Sequence, residues 1–363
     1  VRGRLALVAL LGLALAPAGC REWRAPGDEL IEPGFLDGFE IDASMARRFY
    51  PALRREGRRV YDPVGHALNV PDAEFRFDWP EHPTGEIVIR TNNLGLRDDA
   101  PTHVEKAGHR TLVLGDSHTE GALYNDETYP HVLETLLAER GGEGAPYEVL
   151  NAGVGGTGPF AYLGVLRHYA FLEPDLVLAT IYAGNDFANA LLFSDAYTRR
   201  RTTPRDGEYR ERLDAAGAVH VQIPQGFNQA YLARLEPRDV PLMVDAVLLA
   251  IDAMAAHCAR HGADFAVVII PTKVDVDLTH GLETTRGILR ALDLDAEDYA
   301  VNARMVESLV ARLEARGIPV VDPTSRMRAV DEPLYWDKDH HLDPAGQRLL
   351  ARIVLDELGG MIP

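Results

Sequence analysis

Only two cysteines occur in the 363 residues, Cys20 and Cys258. A chain of this length with so few thiols must be held together by its apolar core rather than by a disulfide framework. Basic residues are also in short supply. Lys and Arg number 37 against 55 Asp and Glu, for a formal charge of −18. A surface of that sign repels phosphate backbones and anionic headgroups, which argues against a nucleic-acid partner. Internal repeats and low-complexity tracts are missing. Beyond residue 20 no apolar run reads as long enough to cross a membrane. What is present is the composition of a folded domain, 46% hydrophobic and 25% charged.

The first twenty residues stand apart. Arg2 and Arg4 lead into "LALVALLGLALAPAG", an apolar run of fifteen that ends at Cys20. The run is short for a bilayer span and suits a secretory signal peptide over residues 1–20. Ala18 and Gly19 before Cys20 resemble a bacterial lipoprotein lipobox, with Pro17 where a bulky aliphatic residue is usual. The resemblance implies lipidation of Cys20, and hence a secreted, lipid-anchored protein of the bacterial cell envelope that meets the membrane through its N-terminal lipid only. Cys258 would then lack a partner, and its apolar helical neighbours in "IDAMAAHCARHG" predict a small buried residue.

Residues 21–108 are rich in Pro, Gly and charge, with one good strand candidate at "GEIVIRTNN" (85–93). They are expected to form a tether and an N-terminal extension packed on the main domain. From about residue 109 the pattern becomes regular. Buried strands are expected at "TLVLG" (111–115), "YEVLNA" (147–152), "DLVLATIYA" (175–183), "DFAVVIIP" (264–271) and "IPVVD" (318–322). Helical segments alternate with them, the last carrying a stripe of Leu350, Ile353, Val354 and Leu358. Alternation of this kind predicts an α/β fold over 109–363: a doubly wound, mostly parallel five-stranded sheet with helices on both faces. One stretch interrupts it, at about 190–240, and is expected to be a polar insertion that shapes the substrate cleft.

In such sheets sites form beyond the carboxyl ends of the strands. The first strand ends in Gly115-Asp116-Ser117, the second runs into "NAGVGGTGP" (151–159), the third ends in "AGND" (183–186), and "YWDKDHHLDPAG" (335–346) follows the last. Acyl transfer needs these residue types. A serine hydroxyl is a poor nucleophile until an imidazole takes its proton. A carboxylate must hold that imidazole in the right tautomer. Charge developing on the carbonyl oxygen needs fixed N–H donors, which a glycine turn and an asparagine amide supply. Two base–acid pairs fit the last block, His341 with Asp339 and His340 with Asp337. His118 and Glu120, beside the serine, are expected to cap the helix that follows.

The four blocks in order resemble the SGNH (GDSL-type) hydrolases, over roughly residues 109–360. "NNLGLRD" (92–98) and "IPTKVD" (270–275) are similar to segments of bacterial cell-envelope members. The resemblance implies Ser117 as nucleophile, His341 as base and Asp339 as its orienting acid. It implies an oxyanion hole from the Ser117 N–H, Gly156 and Asn185, with Gly153 or Gly155 as alternatives to Gly156. Ala183 replaces the first glycine of the third block. The nucleophile elbow of the α/β-hydrolases is excluded, because Thr119 stands where Gly-x-Ser-x-Gly needs glycine.

The expected function is therefore a secreted or lipid-anchored serine esterase acting on an acetyl or short-chain acyl ester, small-molecule or glycan. No cofactor and no metal are implied, and nothing in the sequence sets the oligomeric state. Three competing readings remain. An O-acyltransferase on envelope polysaccharide would use the same triad. A metal-dependent phosphoesterase would use the Asp, Asn and His residues as ligands, but Asp186 stands where that class has histidine. A non-catalytic glycan-binding domain would keep only the scaffold.

Overall fold

The computed structural model describes residues 33–362, apart from 51–52, 54–56, 142–145, 199–210, 212–224 and 278–281. Residues 1–20, where a signal peptide ending in a lipid-bearing Cys20 is expected, lie outside the described residues.

Five strands form one sheet: β5 (His109–Gly115), β6 (Tyr147–Gly153), β7 (Leu176–Tyr182), β8 (Asp264–Ile270) and the short β9 (Val320–Val321). Their order is β6-β5-β7-β8-β9, and every pairing is parallel, with Val113 of β5 set between Asn151 of β6 and Leu178 of β7. All five strands expected from the apolar runs are present. The runs are continuous because helices bury both faces, so neither half of the pleat can be polar. Leu112, Leu114, Val177, Ala179, Val267 and Ile269 point to one side. Val113, Leu176, Leu178, Ala266 and Val268 point to the other, as a period of two requires.

The first face is covered by α4 (Pro159–His168), α5 (Asp186–Thr198) and the helices Asp239–His261 and Val301–Glu314. The second is covered by α3 (Tyr129–Gly141) and the C-terminal helix Pro344–Leu358, whose Leu350, Ile353, Val354 and Leu358 are buried as their spacing predicts. The helix Asp239–His261 corrects one expectation. By length and composition it could cross a membrane, but more than half of its apolar window is buried inside the fold. Cys258 lies on it and is buried.

The N-terminal extension holds more structure than its composition announces. Besides β4 (Glu86–Arg90) it contains α1 (Ala43–Phe49), β1 (Arg59–Asp62), β2 (His66–Asn69) and β3 (Glu74–Asp78), paired as two antiparallel hairpins, β1-β2 and β3-β4. Phe39 and Tyr50 from this region pack into the first-face core beside Phe160 and Phe193. The 190–240 stretch also departs from a polar loop. Its described ends are α5 and the helix Gln225–Leu235, which bury Leu191, Phe193, Phe227 and Tyr231. Its centre lies outside the described residues.

Candidate active site

The connection from β5 to β6 runs one way across the sheet, and the one from β6 to β7 returns over β5. The carboxyl ends of β5 and β7 therefore flank the reversal point, where doubly wound sheets open a crevice. Ser117 follows β5 and Asn185 follows β7.

Ser117 opens the one-turn helix α2 (Ser117–Glu120). Asp116 is its N-cap: the side chain accepts the His118 N–H at 2.8 Å. This corrects the expectation for His118 and Glu120, which sit inside the turn and are buried. The turn is tight. A Cβ on Gly115 would stand 2.0 Å from Thr119 Oγ1, so only glycine lets the strand fold back so sharply. Between Arg110 and Gly121 every residue is buried except Ser117, so the local fold presents this hydroxyl alone.

His341 arrives from the other end of the chain. A bridge between Tyr335 and Leu342 closes its loop, and Trp336 donates its N–H to the His341 carbonyl at 3.1 Å. Lys273 Nζ donates to the carbonyls of Trp336 and Asp337 at 2.8 and 2.9 Å. Glu81 of the extension accepts the N–H of Asp337 at 2.5 Å and that of Lys338 at 3.1 Å. Asp343 caps the C-terminal helix, and Gln347 one turn on donates to the His118 carbonyl at 3.3 Å. The loop is thus pinned to the segment bearing Ser117.

The result is a relay. His341 Nε2 lies 2.8 Å from Ser117 Oγ. Its Nδ1 is hydrogen-bonded to Asp339 Oδ1, which also accepts the His341 backbone N–H at 2.8 Å. Burial alone would raise the Asp339 carboxyl, but attraction to His341 and their hydrogen bond hold it well below the usual carboxylate range. Burial would likewise lower His341, and the Asp339 charge and hydrogen bond, with help from Asp116 and Glu120, raise it instead.

The alternative pair is not assembled. Asp337 is exposed, while His340 is buried with neither ring nitrogen hydrogen-bonded. Burial first, and the neighbouring His341 second, push His340 down to about 3, so it stays neutral. His118 is buried in the same way, stacked on Tyr182 with centroids 3.5 Å apart.

Gly156 takes φ +79°, a left-handed conformation that suits glycine. Gly153 donates its N–H to Asn151 Oδ1 at 3.0 Å and Gly155 to Glu120 Oε2 at 3.2 Å, so both alternative donors are already engaged. Asn185 Nδ2 donates to Asp116 Oδ2 at 3.2 Å, a bond that helps to fix the orientation of the amide. Burial raises the Asp116 carboxyl. Asp186 is fully buried and accepts from Tyr162 Oη at 3.0 Å and from the Tyr182 N–H at 2.9 Å, which takes it away from any ligand role.

Among the described residues, one group of metal-binding types clusters: nitrogens of His118, His340 and His341 lie within 4.8 Å of one another. Their rings lie close together, with centroids 4.4 Å apart for His118 and His341 and 4.5 Å for His340 and His341. Both nitrogens of His341 are engaged already. A metal ion bound through His341 would have to displace its contact with Ser117 or with Asp339.

Residues 113–349 match the GDSL-like lipase/acylhydrolase family. The chain belongs to that family, and it is a hydrolase of the GDSL (SGNH) type. Among solved structures, it is similar to an α/β hydrolase from the metagenome of Lake Arreo, Spain, at 17% identity and TM-score 0.41, covering 72% of this chain and 100% of that one. It is also similar to a catalytic mutant of an acetylxylan esterase from Geobacillus stearothermophilus, at 17% identity and TM-score 0.39, covering 71% and 97%. A GDSL-like lipase from Bacteroides thetaiotaomicron matches at 15% identity and TM-score 0.38, covering 70% and 89%. No curated protein matches the sequence.

Proposed function

We propose that this chain is a serine esterase that removes short acyl groups, acetyl above all, through Ser117, His341 and Asp339. The observation that supports it most is the 2.8 Å contact from His341 Nε2 to Ser117 Oγ, with Asp339 on the far ring nitrogen. In the first half-reaction Ser117 Oγ bonds to the ester carbonyl carbon as its proton passes to His341 Nε2. The carbonyl electron pair moves to oxygen and is held by the Ser117 and Gly156 backbone N–H groups and the Asn185 amide. The intermediate collapses, and the alcohol leaves with the proton from His341. Water then repeats the sequence on the acyl-enzyme and releases the acid.

Short chains are favoured because "YTRRRTTPRDGEYRERL" (197–213), within the interrupting stretch, offers no continuous apolar run to line an acyl tunnel. The lipobox-like Ala18-Gly19-Cys20 supports a lipid anchor at Cys20 and an envelope location, where O-acetylated glycans are the natural ester class. A series of aryl esters from acetyl to octanoyl, run beside acetylated glycans, tests the substrate. Turnover should fall as the chain lengthens; a maximum at octanoyl would overturn the short-chain reading. Mass analysis of products formed with an added sugar alcohol separates hydrolysis from acyl transfer.

A further inference from the structure

The extension reaches the nucleophile through a buried ion pair. Arg59 of β1 precedes the 113–349 family segment and is 58 residues from Ser117 in sequence. Its Nη2 donates to both carboxylate oxygens of Glu120 at 2.8 Å, and the two side chains are only 4% and 5% exposed. Glu120 ends the turn that Ser117 begins, and its Oε2 accepts the Gly155 N–H at 3.2 Å. A Cβ on Gly155 would stand 2.5 Å from Glu120 Oε2, 3.1 Å from Arg59 Nη2 and 3.3 Å from Ser117 Cβ. Guanidinium, carboxylate, glycine loop and nucleophile therefore meet at one point. Gly156 is the next residue.

A buried ion pair is weak evidence for stability, since well-packed apolar residues often do as well. This one does what apolar residues cannot: its carboxylate fixes a loop N–H at a set distance and angle. Two further arginines flank Glu120, one at its carboxylate and one at its backbone. Arg58 Nη2 lies 3.8 Å from Glu120 Oε1 with its guanidinium over the Phe77 ring at 4.7 Å. Buried Arg97 donates to the carbonyls of Glu120 and Gly121. Against the burial that would neutralise it, Glu120 is kept charged by Arg59, Arg58 and Arg97.

We infer that Arg59 is a positioning residue for the reaction: acting through Glu120 and Gly155, it holds the glycine loop so that the Gly156 N–H faces the developing oxyanion. The inference rests on the reading of Ser117 as nucleophile. A loop displaced by about 1 Å loses transition-state contacts while ground-state binding changes little.

The test uses Arg59→Met, Arg59→Lys and Glu120→Gln in the full chain. Total labelling by a fluorophosphonate counts folded sites, and its rate reports the oxyanion pocket. Per folded site, kcat on an aryl acetate should fall about 10–100-fold in Arg59→Met and about tenfold in Arg59→Lys, with KM within about threefold. The labelling rate should fall in parallel. If Arg59→Met yields no labelled sites, Arg59→Lys and Glu120→Gln decide. Full per-site kcat and labelling rate in the variants that fold would overturn the inference and leave the esterase reading intact. Hydrolysis surviving in Ser117→Ala would instead overturn the esterase reading.

Discussion

Asp339→Asn separates a working triad from a coincidental contact. Asp339 Oδ1 accepts from both the His341 backbone N–H and Nδ1. An asparagine with its oxygen in that place still accepts both N–H groups but carries no charge, and turned over it aims amide protons at Nδ1 and drives the imidazole proton onto Nε2. In either orientation His341 loses the negative charge that stabilises it once it has taken the hydroxyl proton. The expected loss is about 10⁴ in turnover, or about 5.5 kcal/mol of barrier at 1.36 kcal/mol per decade. The pH dependence supplies a second readout. The base must be neutral to act, and His341 is raised above the ordinary histidine value by Asp339. Wild-type kcat/KM should therefore rise with pH through a limb lying above about 6.5. In Asp339→Asn the residual activity should show that limb at lower pH, because the charge that raised it is gone. The assay is aryl acetate hydrolysis across pH, with Asp337→Asn as the control expected within about threefold of wild type. A residual rate within tenfold of wild type in Asp339→Asn, or a limb that does not move down, would refute the reasoning.

Three further outcomes follow from the same geometry. His340→Phe keeps a ring against His341 and removes two nitrogens that bond nothing, so turnover should stay within about threefold, whereas His341→Ala should lose about 10⁴ or more. Asn185→Ala removes the amide proposed as an oxyanion donor and should cost about 10²–10³ in kcat with little change in KM. Arg110→Ala removes a fully buried guanidinium that donates to Glu148 at 2.7 Å and to the carbonyls of His103, Val104 and Leu172. It should lower unfolding stability by about 3–5 kcal/mol in a denaturant titration while the surviving folded enzyme keeps its per-site turnover.

Much of this was legible in the sequence, for definable reasons. The sheet strands are buried on both faces, so they read as aliphatic runs, and the site residues fall where those runs stop. Ser117, Gly156 and Asn185 each follow a strand directly, and parallel topology brings those strand ends to one edge, whereas Asp339 and His341 lie beyond the helix Thr324–Arg328 on the loop that the Tyr335–Leu342 bridge closes. The extension was less legible. Glu74-Phe75-Arg76-Phe77-Asp78 alternates as a half-exposed strand should, but five such residues among turns give a short signal. α5 and the helix Gln225–Leu235 read as part of a polar insertion because packing on several sides scatters apolar residues around both helices rather than along one stripe. The Arg59–Glu120 pair spans 61 residues, and nothing around Arg59 marks it. A charged residue beside a nucleophile is itself the available signal, since Glu120 follows Ser117 in a segment with no room for an unpaired carboxylate.

The central claim is that one hydroxyl, that of Ser117, attacks the ester. Intact mass and peptide mapping after treatment with a serine-reactive fluorophosphonate, in wild type and in Ser117→Ala, tests it most directly. The account predicts a single adduct on Ser117, full loss of aryl acetate hydrolysis in step with labelling, and a Ser117→Ala variant that takes no label and is slower by about 10⁴–10⁶. An adduct on another residue, or hydrolysis undiminished in Ser117→Ala, would contradict it.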